Sequence, residues 1–230
     1  MGRRAARIYA AAPILAPDAL PAYRQLREEL YRQFDLLTRP RPRGLGLAVE
    51  ISADDPYPDA TALAADIRDR RRLMVYSSAA CGNPHPFFTD EDNDAFRAVH
   101  DAVGHALPGA AFDRHGEELA WHAHSALLSP LAAAALATET RGQTCARLFG
   151  GSPAVFPPQK VFLLPARMRR RAGPSARLRE RLAVALRRWG DPDELFGELG
   201  PGGSRSAGPQ VSGSRSLGPG STGPGSTGPR

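Results

Sequence analysis

Five of the six histidines of this chain fall within 97-RAVHDAVGHALPGAAFDRHGEELAWHAH-124, as His100, His105, His115, His122 and His124. Imidazole is the commonest metal ligand among side chains and the one whose charge changes near neutral pH, so such a crowd points to metal binding or proton transfer. His100 and His105 are the pair to weigh first. The familiar helix-borne zinc pair sets two histidines at i and i+4, with a glutamate beside the first. Here the spacing is five, which on a regular α-helix turns the second side chain about 140° away from the first. Both rings can reach one ion only if the helix ends or distorts between them, and Gly104 stands where that would happen.

Two imidazoles need a third donor, and Glu117, Glu118 and Glu139 are the nearby carboxylates. Two histidines and one carboxylate leave coordination positions open, as in non-haem Fe(II) oxygenases, and the same donors in tetrahedral geometry suit a hydrolytic Zn(II). Helical phase sets Glu117, Trp121 and His124 along one face, with Glu118 and His122 as an i,i+4 pair on another. Glu117, His124 and Asp101 are therefore candidates to orient a metal-bound histidine. Gln143 lies one turn beyond Glu139, Gln159 precedes the only lysine, Lys160, and either Arg141 or Lys160 could meet an anionic substrate. We expect Glu117, His124 and Arg141 to serve the chemistry, and Gln143 and Lys160 to contact a cofactor. His115 and His122 read as surface residues, proline-flanked His85 as a turn residue, and Trp121 as core.

The run His100-Asp101-Ala-Val-Gly104-His105-Ala-Leu-Pro108 resembles the H-[DE]-L-L-G-H-V-P signature of the pterin-dependent aromatic amino acid hydroxylases. In that family the two histidines bind iron and a glutamate on a later helix completes the triad. The resemblance therefore implies Fe(II) at His100, His105 and Glu139, the last within 138-TETRG-142, and O2-dependent hydroxylation of a small or peptide-borne substrate. It spans residues 84 to 145; the chain is shorter than the family's catalytic domain, and no stretch matches the pterin site. The segments Gly116 to His124, Thr138 to Gln143 and Gln159 to Pro165 also resemble uncharacterised proteins of actinobacteria and their phages. A third reading is non-enzymatic: a structural or interaction protein whose histidines hold the fold.

The elements that must carry these residues are mainly α-helical, with a few short strands (α+β). Residues 18 to 38 place Tyr23, Leu26, Leu30, Phe34 and Leu37 at helical spacing. 45-LGLAVEIS-52 and 72-RLMVYSS-78 read as strands, separated by a helix starting at Asp59, and 82-GNPHPFF-88 as a loop. Thr89 is placed to cap the helix bearing His100, with Asp90, Glu91 and Asp92 at its positive end. A helix over residues 117–128 follows, then one from Ser129-Pro130 to Thr140, closed by Gly142. Near the end, 161-VFLLP-165 reads as a short extended piece and 175-SARLRERLAVALRRW-189 as an amphipathic helix.

A chain of 230 residues with 42% hydrophobic content is enough for one core, expected over residues 8 to 199. From Gly200 on, the repeats G-S-R-S-x-G-P and G-S-T-G-P offer nothing to bury, so residues 200 to 230 read as a disordered tail. The tail holds three arginines and no acid, leaving only half of the net +6 to the rest of the chain. With that modest charge and no base-reading motif, nucleic acid is not an expected partner. Cys81 and Cys145 are two isolated thiols without metal-ribbon spacing, no segment is apolar enough to span a membrane, and prolines interrupt the N-terminal apolar patch. These features suggest a cytoplasmic protein; the oligomeric state is left open.

Overall fold

The computed structural model describes residues 2–150 and 156–170. The described residues are mostly helical, 61%, and among them is one small parallel sheet of two strands. No helix among the described residues is long and apolar enough to cross a membrane. The expected 175–189 helix and the tail lie outside the described residues.

Helix α1 (Gly2–Ala11) begins ahead of the expected start at residue 8, because Ala5, Ala6 and Tyr9 already pack inward. A 3-10 turn (Pro17–Ala19) leads into α2 (Leu20–Thr38). There the i, i+3, i+4 stripe works as its spacing demands: Tyr23, Leu26, Leu30 and Leu37 are at most 2% exposed. Each such side chain contributes about 1.5–3 kcal/mol relative to exposure.

Strand β1 (Ala48–Ser52) pairs in parallel with β2 (Arg72–Tyr76), and α3 (Ala60–Arg70) connects them. Local chemistry sets the bounds of α3: Asp59 accepts from the Ala62 N–H at its start, and Arg71 takes a left-handed conformation, φ 55°, at its end. Inside this unit Asp66 accepts from Tyr57 Oη at 2.8 Å, Arg70 at 2.9 Å and Arg72 at 3.0 Å. Burial alone would raise the Asp66 carboxyl, but these donors more than offset it and hold it below the ordinary 3.8.

After the one-turn α4 (Ser78–Cys81) and a loop comes α5 (Asp90–Val99). Thr89 caps it through a full box, accepting from Asp92 N while the Asp92 carboxylate accepts from Thr89 N. Three further contacts fix its placement. Tyr31 of α2 donates to Asp92 at 2.9 Å, Asp94 accepts from Ser78 N at 2.7 Å, and Arg97 donates to the Tyr76 carbonyl at 2.9 Å.

The helix does not end at Gly104 but is distorted there, running from His100 to Ala106 as a π segment. Helix α6 (Arg114–Ser125) follows, starting three residues earlier than the periodicity suggests because Asp113 is its cap. Helix α7 (Pro130–Ala137) starts at the expected Ser129 cap, and Glu29 of α2 accepts from Ser129 N at 2.8 Å.

Gly142 does not close that helix. A second π segment (Thr138–Gly142) joins α7 to α8 (Gln143–Phe149). A Cβ at Gly142 would lie 3.3 Å from Tyr9 and 3.4 Å from Leu164, so this glycine serves close packing. The 161–165 piece is extended and buried, bridging Leu15 in parallel, and α9 (Ala166–Arg169) follows it. Helix α2 packs on α5 and α7, α1 on α8, and the first π segment on α3 and α6.

Candidate metal centre

The first π segment answers the spacing problem of His100 and His105. Its hydrogen bonds close over five residues, as in Leu107 N to Ala102 O at 2.9 Å and Ala110 N to His105 O at 2.8 Å. Residues five apart are thereby brought to the same side, and the two imidazole centroids stand 5.0 Å apart at 90°. Gly104 makes room for this arrangement. A Cβ there would lie 3.0 Å from His100 Nδ1 and 3.3 Å from the Ala120 methyl on α6.

The third member comes from α6. Among the described residues, His100, His105 and Glu117 form a group whose ligand atoms all lie within 4.8 Å of one another. His105 Nε2 stands 3.7 Å from Glu117 Oε1. The start of α6 is fixed by Gly116, where a Cβ would fall 1.7 Å from the Ala111 carbonyl oxygen, so the preceding loop lies directly on the helix's first turn. Asp113 tightens that turn by accepting from the N–H groups of His115 and Gly116.

Both histidines are enclosed. Phe96 stacks on His100 with centroids 5.8 Å apart, and Phe112 meets the His105 ring edge-on at 4.9 Å. The pKa of His100 lies well below 6.5, through burial first and then the neighbouring His105 and His124. Burial alone pushes His124 down to about 3. His100 is therefore neutral at pH 7, the form in which imidazole binds metal. Burial raises the Glu117 carboxyl, against the pull of His105 and Arg147. Its side chain is 28% exposed, much more than the 2% of His105.

That exposure faces a cavity of about 320 Å³. Ala5, Leu148, Phe149 and Met168 give it apolar walls, and Arg141 and Cys145 line it too. The Arg141 guanidinium lies 3.5 Å from the centre of the Trp121 ring, pairs with both oxygens of Glu118 and donates to the Met168 carbonyl at 2.6 Å. Burial would raise the Glu118 carboxyl, but hydrogen bonds from His122 and Arg141 hold it down at about 2. Trp121 is fully buried, and His122 pairs with Glu118 as its spacing suggests.

Glu139, the expected third ligand, is placed in a different buried cluster. Its Oε1 accepts from Tyr23 Oη at 2.5 Å and stands 3.4 Å from His85 Nε2. His85 is a turn residue as read, its Nδ1 accepting from the N–H groups of Phe87 and Phe88. Its side chain is nevertheless buried. Lys160 is engaged elsewhere than at the histidine pair: its ammonium donates to the carbonyls of Ala10 and Ala12 at the C-terminal end of α1. Gln143 donates to Gln159 at 3.4 Å.

His124 is fully buried against His100, their Nδ1 atoms 3.3 Å apart, so it contacts a candidate ligand and not the cavity. Gln33 of α2 also belongs to this site: it sits on the apolar stripe of Leu26, Leu30 and Leu37, and its Oε1 faces His124 Nε2 at 3.1 Å. A polar residue at a core phase is the signal that could have found it. Comparisons with protein-family models, curated proteins and solved structures return no match.

Proposed function

We propose that the protein is a mononuclear non-haem iron(II) oxygenase whose ion is held by His100, His105 and Glu117. The observation that carries this reading is the meeting of two buried imidazoles and one partly exposed carboxylate at the edge of a cavity. Three protein donors of this kind leave positions open for O2 and substrate, whereas a purely structural zinc site is closed by four. The apolar walls suit a small or peptide-borne organic substrate. In the reaction, one atom of O2 enters a substrate C–H bond and the other leaves as water. The two electrons and two protons this requires come from an organic co-reductant. The same donor set also serves hydrolytic zinc, which is the second reading. The unpaired thiols Cys81 and Cys145 accord with a reducing, cytoplasmic setting.

Metal analysis of anaerobically purified protein tests the proposal. One equivalent of iron, with O2 uptake that disappears on chelation, is the expected result. One equivalent of tightly held zinc and no O2 uptake transfers the centre to hydrolytic chemistry. No bound metal, with a melting temperature indifferent to chelator, overturns both readings.

A further inference from the structure

We infer that Gln33 and His124 are positioning residues that fix the tautomer of His100 and so select its Nε2 as the metal-facing donor. The metal-facing part of this inference rests on the proposed centre; the tautomer itself does not. The chain of bonds starts at the Leu127 carbonyl, which can only accept. Gln33 Nε2 lies 3.3 Å from it and donates. The other end of the same amide, Oε1, therefore faces His124 Nε2 at 3.1 Å and can only accept. Rotating the amide by half a turn would set two oxygens against each other at Leu127.

His124 thus carries its proton on Nε2, and as a neutral ring it offers Nδ1 as an acceptor. That Nδ1 lies 3.3 Å from His100 Nδ1, which must then donate. The His100 lone pair is left on Nε2. An independent bond gives the same result at the partner ring: His105 Nδ1 donates to the Ala110 carbonyl at 3.0 Å, leaving the lone pair on Nε2, the atom nearest Glu117. Two unrelated networks thus prepare the same nitrogen on both rings, as supporting bonds do around metal-bound histidines.

His85 shows that the choice is not automatic. Its Nδ1 accepts two backbone N–H groups, so its proton sits on Nε2, facing Glu139. The fold holds buried histidines in both tautomers, and only the pair beside Glu117 has Nε2 bare. The relay also explains why Gln33, 8% exposed, interrupts an otherwise apolar stripe of α2.

Metal-free protein labelled with 15N-histidine provides the test, through long-range proton–nitrogen correlation spectra. The expected wild-type pattern is a protonated Nδ1 and a bare Nε2 on His100, with the reverse on His124. Gln33→Leu removes the acceptor and is expected to mix or invert the His100 tautomer, whereas Gln33→Glu, its buried carboxyl protonated on the oxygen that faces the Leu127 carbonyl, keeps both the donor and the acceptor and preserves it. A wild-type His100 protonated on Nε2, or a Gln33→Leu protein with an unchanged pattern, overturns the inference. If Gln33→Leu does not fold, the wild-type spectrum and Gln33→Glu still decide it. Zn(II) titration of the same samples reads the metal role separately: affinity should fall about 10- to 100-fold in Gln33→Leu and recover in Gln33→Glu. The predicted tautomers without Zn(II) binding in wild type would sustain the relay and remove the metal reading.

Discussion

Glu117 Oε1 stands 3.7 Å from His105 Nε2, although the two residues belong to different helical segments joined by a loop that lies against the first turn of α6. Glu139 satisfies the spacing of a third ligand equally well, yet it is committed to Tyr23 and His85.

The ligand assignment predicts a clear division among variants. Glu117→Gln, His100→Ala and His105→Ala should each lose stoichiometric metal, and Glu139→Gln should retain it. Elemental analysis of the four folded proteins, checked by circular dichroism, decides the matter. Metal loss in Glu139→Gln with retention in Glu117→Gln would reverse the assignment.

Gly104 is predicted to matter through space alone. Gly104→Ala adds a methyl 3.0 Å from His100 Nδ1, so the ring or α6 must shift by a few tenths of an ångström. Metal affinity should fall by about tenfold or more, as it does when supporting contacts around a ligand are disturbed. Metal titration of Gly104→Ala, with Gly82→Ala as a comparison where a Cβ meets no neighbour but the backbone is left-handed at φ 64°, separates crowding at His100 from the backbone effect of replacing a glycine.

Tyr23 and Glu139 are predicted to act on stability. The Tyr23 hydroxyl bonds Glu139 and the Lys160 carbonyl, and burial followed by the Glu139 charge holds its pKa well above 10. Tyr23→Phe leaves a buried acceptor short of a donor, a loss of about 1–3 kcal/mol. In a chain of this size that corresponds to roughly 2–4 °C in Tm per kcal/mol, measurable by thermal melting. Metal content should be unchanged.

Asp66, on α3, makes a pH-dependent contribution to stability. Its folded pKa is depressed, so its contribution is present above the unfolded value of 3.8 and is lost as pH falls through the lower folded value. Asp66→Asn should therefore be less stable than wild type by about 1.5–3 kcal/mol at pH 7. The gap should narrow as pH drops below 3.8. Denaturant melts of both proteins at pH 7 and in acid check the sign; a gap that widens in acid would contradict it.

Much of the architecture was legible because its determinants are local. Asp59, Thr89 and Ser129 cap helices wherever a side-chain oxygen precedes an unsatisfied N–H, and the stripe of α2 follows from 3.6-residue periodicity alone. Gly142 misled for the same reason. A glycine after a helical run is a local stop signal, but here the contacts with Tyr9 and Leu164 that it permits come from distant segments.

The chain by itself determined the donor types: a histidine pair at an irregular spacing, a glycine between them and carboxylates downstream. Only the tertiary structure decided which carboxylate joins the pair. Helical phase ranks residues within one element, whereas the choice between Glu117 and Glu139 depends on where α6 and the second π segment lie relative to α5. The same holds for the π widening that unites His100 with His105. Gly104 marks where the helix can distort, but nothing local sets the form of the distortion. It arises where the Gly104 backbone, the His100 ring and Ala120 of α6 share a space that has no room for one more methyl group.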